Sequence, residues 1–484
     1  MGPAPHAGIP GERRNSAGPV TVADPGRRAI VVIIVMQLAI SIGFFAVMAH
    51  LVAHLRHDLG LLAGTVSLVL GLRVAVQYML FLPAGALADA IGPGRAGALA
   101  CALRAGGFAL LGTATGLGGL LLAAVVLAVG GALFHPSAQS LLAGVAPARR
   151  SRGFAAYLIA GQVGAVAGPP AGLLLLSVGG FGTLSALAVV AWTGGAVLFL
   201  LLPPVRGTAR RTEVLHDRPS AGISAVHRVR RSREPSGGVS AVPREWAPRD
   251  RRSREPSGGI SAVLRDRRFL VFAVTVAPAT LLADQVVSVV PLKEVGGQAS
   301  TLFFCVVAMA TAAVQPWCAA GGRAERPWVL RSGLLCAGAG YLLLLAIPSG
   351  GVPPGGAPPA GPSAPMPSES VLTGGILPAG GSIVLLTLFV MAAVLHGLAS
   401  GLTQSALFQT VTRRAPSGRF GTYFGLLSFL GGAVALVGGF TVGRLFDAGG
   451  RGEVTALIGL AAVAALSATA VRAPQRPSRD RHGS

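Results

Sequence analysis

Twelve stretches of apolar residues recur along this chain, near 29–53, 61–86, 95–114, 117–143, 153–177, 181–203, 269–291, 299–320, 329–348, 383–409, 420–443 and 454–471. A helix needs about 20 such residues to cross a hydrocarbon core roughly 30 Å thick. Lipid offers no partner for backbone N–H and C=O groups, so each run must satisfy them internally, as a helix. The 484 residues are only 12% charged, against about 25% in a typical soluble protein. The missing charge is a statement about solvent, and the runs predict an all-α membrane protein with twelve spanning helices. The first run is too long for a secretory signal core and no clear small-residue cleavage site follows it, so it reads as the first span.

The formal net charge of +22 would suggest nucleic acid in a soluble protein. Its placement argues otherwise. With the N-terminus inside, 34 of the 40 basic residues fall on the inner side, and 4 (Arg56, Lys293, Arg444, Arg451) fall outside. The remaining 2, Arg73 and Arg104, lie within helices. This asymmetry places both termini in the cytoplasm of a cell (plasma) membrane. It leaves no call for a nucleic-acid partner and assigns the surplus charge to topology and to membrane lipids, with anionic lipid at the basic linker as a further partner. Cys101, Cys305, Cys318 and Cys336 all lie in apolar runs without metal-ligand spacing, so neither a metal nor a disulfide is expected.

The organisation follows from where the runs stop. Residues 1–27 and 473–484 read as cytoplasmic tails, 28–203 as one six-helix bundle and 268–472 as another. Between the bundles, 204–267 carries a repeat: RRSREPSGGVSAV at Arg230–Val242, RRSREPSGGISAV at Arg251–Val263 and a partial copy, PSAGISAV, from Pro219. The units show no apolar face to stack, so they read as a duplicated disordered linker, with a membrane-surface or regulatory role as the alternative. The Pro/Gly-rich segment 349–382 reads as a flexible external loop. The halves echo each other weakly. Val145–Phe154 (VAPARRSRGF) and Val411–Phe420 (VTRRAPSGRF) each open an apolar, glycine-rich run, as expected of two related bundles.

No P-loop, nucleophile elbow or His/Asp/Glu metal cluster appears, so no enzyme and no cofactor is expected. The informative residues are polar groups inside spans, where a charge costs about 2.5–3.5 kcal/mol on insertion scales. Asp284 is the carboxylate well inside a run. It is a candidate for proton coupling, against the alternative of a static ion pair with an arginine. His135 and His396 are further proton candidates, against plain packing or hydrogen bonding. Arg73 and Gln77, four apart on one helix face, and Arg104 are candidates for the substrate cavity. For both arginines the alternative is structural pairing, with backbone carbonyls or with Asp284.

Two motifs carry a resemblance. Gly85–Arg95 reads Gly-Ala-Leu-Ala-Asp-Ala-Ile-Gly-Pro-Gly-Arg between the second and third runs, and Gly164, Gly168, Pro169 and Gly172 form Gly-x-x-x-Gly-Pro-x-x-Gly in the fifth. These resemble the helix 2–3 loop of the major facilitator superfamily and the helix-5 motif of its antiporters. Asp284-Gln285 followed by Pro291-Leu292, and Gly71-Leu72-Arg73 through Gln77, are similar to helices 7 and 2 of its drug:proton antiporters. The resemblance implies two six-helix bundles rocking about a midplane site. It implies a latch in which Asp89, with Gly85, Gly92 and Arg95, meets the N-terminus of helix 11 beside Arg419. It also makes Gln285 a cavity candidate. The chain departs from the pattern at Ala90, Pro93 and Gly94, where basic residues are usual, and residues 123–131 lack an arginine that many proton antiporters carry.

The expected function is export of a small, lipophilic organic molecule by proton antiport, with a small-molecule substrate and protons as partners of a monomer. The alternative is an uptake permease or uniporter for an organic anion using Arg73 and Arg104. A non-transporting receptor or scaffold is the reading from a different class.

Overall fold

The computed structural model describes residues 2, 25–202, 259–293, 297–348 and 383–471. Most of both tails, the Pro/Gly-rich segment 349–382 and most of the repeat-bearing linker lie outside the described residues. The spans are α1 (Pro25–Ala53), α2 (Ala63–Ile91), α3 (Pro93–Thr113) and α4 (Leu117–Ala143). Pro147–Leu201 follows as one 55-residue helix, interrupted by non-helical Gly179 and by Gly180 at φ 67°. At 1.5 Å per residue no bilayer accommodates a single straight helix of that length, and Gly180 takes a backbone conformation costly for any other residue. Its limbs are therefore two spans, α5 (147–178) and α6 (181–201).

The second half contains α7 (Arg267–Val276, resuming as Pro278–Leu292), α8 (Gly297–Ala319), α9 (Pro327–Leu345), α10 (Ile383–Arg414), α11 (Phe420–Asp447) and α12 (Gly450–Ala470). All twelve expected spans are present, with ends displaced by a few residues. One expectation fails. The repeat-bearing linker is expected to be disordered through 267, but Gly259–Arg265, the end of the second full repeat, is helical. Val263 there is buried in the first bundle's core, so this repeat unit does have an apolar contact to make. Asp266 caps α7 by accepting a hydrogen bond from the Phe269 backbone N–H at 3.0 Å, as N-caps do.

Two apolar cores result. One is built mainly from α1–α6 around Phe108, Phe134, Trp192 and Phe199. The other is built from α7–α12 around Phe303, Tyr341, Leu344 and Leu457. Lipid is as apolar as leucine, so helices associate here through close packing, and small residues sit at the contacts. The helix-5 motif shows this. Gly164, Gly168 and Gly172 face Ser41, Ile42, Phe45 and Ala46 of α1, where an added methyl would collide. His50 Nε2 lies 3.0 Å from the Pro169 carbonyl oxygen and donates to it in the Nε2–H tautomer.

The halves meet where α2 packs on α11 and where α8 packs on the 147–201 helix. A Cβ on Gly85 would lie 2.1 Å from the Gly421 carbonyl oxygen, and one on Gly421 would lie 2.5 Å from that of Gly85. Only paired glycines allow this backbone approach. The first core also takes in Phe408, Val411, Tyr423 and Phe424 from the second half, so the bundles share apolar contacts near the α10–α11 turn.

Candidate functional site

A cavity of about 500 Å³ opens between the bundles, lined from α1 to α7 and by α10 and α11. Among the described residues it holds two charged side chains, Arg73 of α2 and Arg104 of α3, and no carboxylate. Both guanidinium groups approach the Phe44 ring, Arg73 at 5.9 Å and Arg104 at 5.1 Å from its centroid. Arg104 also lies 4.8 Å from the centroid of the Trp192 ring. Such cation–π contacts are worth about 0.5–2 kcal/mol each, so they offset part of the roughly 2.5–3.5 kcal/mol cost of a buried charge in a membrane. Arg104 is only 4% exposed. Among the described residues neither arginine has an ion-pair partner, and the Nε of each is buried without a hydrogen bond.

Local sequence explains how Arg104 fits. Gly130 and Gly131 of α4 lack the side chains that would block it. A Cβ on Gly131 would meet Arg104 Nη2 at 2.2 Å and Gln77 Oε1 at 2.5 Å. Residues 123–131 carry no arginine, and Arg104 reaches α4 from α3 through these glycines.

Buried polar groups are normally paired; well over nine in ten find a partner. Nine buried side-chain atoms among the described residues do not, and five of them belong to Gln37, Arg73, Gln77, Arg104 and Trp192, all lining this cavity. Gln139, Gln162 and Gln404 add three more amides, and His135 stands in the wall. The lining thus combines apolar rings with a set of amides and two guanidinium groups. Gln37, Gln139, Gln162, Gln404, Phe44, Tyr157 and Trp192 were missed because no spacing rule tells which face of a uniformly apolar helix turns inward. Isolated amides in apolar runs were the available signal.

Gln285 does not reach the cavity. It is buried against α11, its amide nitrogen 2.9 Å from where a Cβ on Gly439 would sit. Asp284 also lies outside the main cavity. It lines a second one of about 310 Å³ within the C-terminal half, with His396, Ser400 and Thr403. Thr280, Gln404 and Leu407 line both. No arginine pairs with Asp284 among the described residues; its carboxylate accepts a hydrogen bond from the hydroxyl of Tyr78 in α2. His396 is 4% exposed, with its Nε2 unpartnered and its ring 4.6 Å from that of Tyr341.

At the α2–α3 and α10–α11 turns the cavity is closed. The Asp89 carboxylate accepts hydrogen bonds from the Gly421 N–H at 2.8 Å, and from the Thr422 N–H and hydroxyl, each at 2.6 Å. These donors lie in the first turn of α11, where exposed N–H groups and the helix dipole favour an anion. Gly92 turns the chain at φ 89°. Arg95 is exposed and makes no hydrogen bond among the described residues, so it takes no part in this contact. Behind it, Phe154 of α5 stacks on Phe408 of α10 at 3.7 Å and 4°, and Phe408 on Phe424 of α11 at 5.5 Å and 18°. Three rings from both halves form the cavity floor.

Two six-helix bundles enclose one cavity and are hydrogen-bonded to each other at one end of it, the architecture of a multi-pass membrane protein with a site between its halves. Residues 33–439 match the family model described as Major Facilitator Superfamily, and the chain belongs to that family. Over 188 residues it is 29% identical to the MFS-type transporter Rv0849 of Mycobacterium tuberculosis, covering 38% of this chain and 45% of the relative. The match thus spans less than half the length of that curated relative. Solved structures are similar in fold. The human organic anion transporter MFSD10 aligns at TM-score 0.61 and 16% identity over 93% of this chain and 100% of its own. A bacterial homologue of the iron transporter ferroportin, in an outward-facing state, aligns at 0.59 and 13% over 92% and 98%. The peptide transporter POT aligns at 0.55 and 16% over 92% and 93%. These identities speak to fold alone.

Proposed function

We propose that this transporter moves a small organic anion by alternating access, with Arg73 and Arg104 as its charge-recognition residues. The observation that carries this is the main cavity itself: two guanidinium groups, five amides and no carboxylate. A lipophilic neutral or cationic drug would leave both charges and the unpaired amides unsatisfied, so the export of such a molecule fits less well than the anion. The five amides supply hydrogen bonds that orient polar parts of the substrate. The Asp89 contact and the aromatic floor latch the cytoplasmic side, so this conformation faces outward.

Proton coupling belongs to the same proposal, on a separate observation. Asp284 accepts a hydrogen bond across the bundle interface and borders the main cavity through shared residues. A carboxylate there changes charge without competing for the substrate's own site. His135 in the main cavity and His396 in the second remain the other proton carriers of this scheme. The protein works as a monomer in the plasma membrane with both termini cytoplasmic.

The test uses purified full-length protein in proteoliposomes. Uptake of radiolabelled carboxylates is compared with that of matched neutral amides and amines, with and without an imposed proton gradient. Carboxylate transport lost in Arg104→Gln is the expected result. Transport of the amines with carboxylates excluded would remove the anion reading.

A further inference from the structure

The charge inventory of the cavity goes further than its sign. Arg73 and Arg104 converge on one ring, Phe44, with guanidinium carbons 5.9 and 5.1 Å from its centroid. Like charges that line one cavity repel, and in a low-dielectric wall the repulsion is weakly screened. An intramembrane pair of this kind ordinarily carries a carboxylate between or beside the two groups. Here the lining contains none among the described residues, and Asp284 is engaged by Tyr78 and lines the other cavity. Each arginine also keeps a buried, unpartnered Nε. A singly charged guest would neutralise one guanidinium and leave its neighbour exposed to the same uncompensated field.

We infer that the substrate is an organic dianion, with one anionic group for Arg73 and one for Arg104, carried on a scaffold small enough for a cavity of about 500 Å³. This rests on the organic-anion reading and narrows it. Guanidinium groups suit both carboxylate and phosphate oxygens, which they bind through paired N–H donors. The Phe44 ring, 5.9 and 5.1 Å from the two guanidinium carbons, offers an apolar surface for the body of the guest. The unpaired Oε1 atoms of Gln37 and Gln77 accept hydrogen bonds from donors on that body, and such donors distinguish a functionalised dianion from inorganic phosphate or sulfate.

The experiment compares matched pairs that differ by one charge: benzoate with isophthalate, and octanoate with suberate. Binding to detergent-purified full-length protein is read by thermal shift, and transport by uptake into proteoliposomes. In the unaltered protein the dianion of each pair should bind at least tenfold more tightly than its monoanion partner. In Arg73→Gln the preference should vanish or reverse, since one cationic site remains and the second carboxylate becomes a burden. Size-exclusion profiles check that the variant is folded, and the ratio in the unaltered protein tests the inference independently of any variant. Equal affinity for both members of each pair overturns the dianion inference while leaving the anion reading intact. Binding of none of the four overturns both.

Discussion

The hydroxyl of Tyr78 in α2 donates a hydrogen bond to the carboxylate of Asp284 in α7, 206 residues away in sequence and on the opposite bundle. The bond joins parts that must separate or slide if the bundles rock, so its strength bears on the equilibrium between the two faces. An ionised carboxylate accepts it well, and a protonated one accepts it less well. Protonation of Asp284 would therefore weaken a contact between the two halves.

Asp284→Asn should abolish proton-driven transport while leaving substrate exchange down its own gradient. Asparagine keeps the shape and an acceptor oxygen for Tyr78 but cannot ionise. Arginine cannot take over the proton, because guanidinium stays charged at physiological pH. A pH-sensitive dye in proteoliposomes reads the proton flux. Continued substrate-linked flux in the variant would move the role to His135 or His396.

Asp89→Asn should leave the protein in the membrane but slow turnover. The carboxylate accepts three hydrogen bonds from the start of α11, and hydrogen bonds to a charged group are worth about 1.5–3 kcal/mol each. Losing the equivalent of one shifts the balance between faces by roughly ten- to a hundredfold. Cysteine accessibility of the cytoplasmic half of the cavity should rise accordingly, and unchanged accessibility with unchanged turnover would reduce Asp89 to a simple cap.

Gly85→Leu should prevent closure of the cytoplasmic side, because even one added carbon would sit 2.1 Å from the Gly421 carbonyl oxygen. Overpacking of this kind costs about 1–3 kcal/mol or more, and moving the bundles apart relieves it. Disulfide crosslinking between cysteines placed at Ala88 and Thr422 should fall in the variant. A crosslinking yield equal to the parent's would show that α2 and α11 accommodate the side chain.

Sidedness follows from the charge count. A cysteine at Ser417 should react with impermeant maleimide only from the cytoplasm, and one at His57 only from outside. Both positions are exposed at the ends of spans. Reaction on the opposite sides would invert the whole arrangement.

Composition and spacing alone determined the membrane solvent, the twelve spans and the uneven placement of positive charge among the loops. Each depends on local content: an apolar run of sufficient length has no alternative to a helix in lipid, and basic residues are counted loop by loop. Residues Gly85–Arg95 also made the Asp89 contact legible, through a resemblance rather than through geometry. The helix break at Gly179–Gly180 was visible as the gap between the fifth and sixth runs. The helix at Gly259–Arg265 was not, because its apolar partner belongs to a distant part of the chain.

Only the tertiary structure decided which polar residues share a site. In a span apolar on every side, periodicity carries little information about which face turns inward. Arg73 and Arg104 were found as isolated charges, but that they approach one phenylalanine ring, with five amides nearby and no carboxylate, depends on how six helices rotate against one another. Gln285 and Asp284 are adjacent in sequence, yet one faces α11 and the other borders a cavity, because neighbouring residues point about 100° apart around a helix. Tyr78 carried no signal at all. Its role exists only because paired glycines let α2 and α11 approach closely enough to bring the two halves of the chain together.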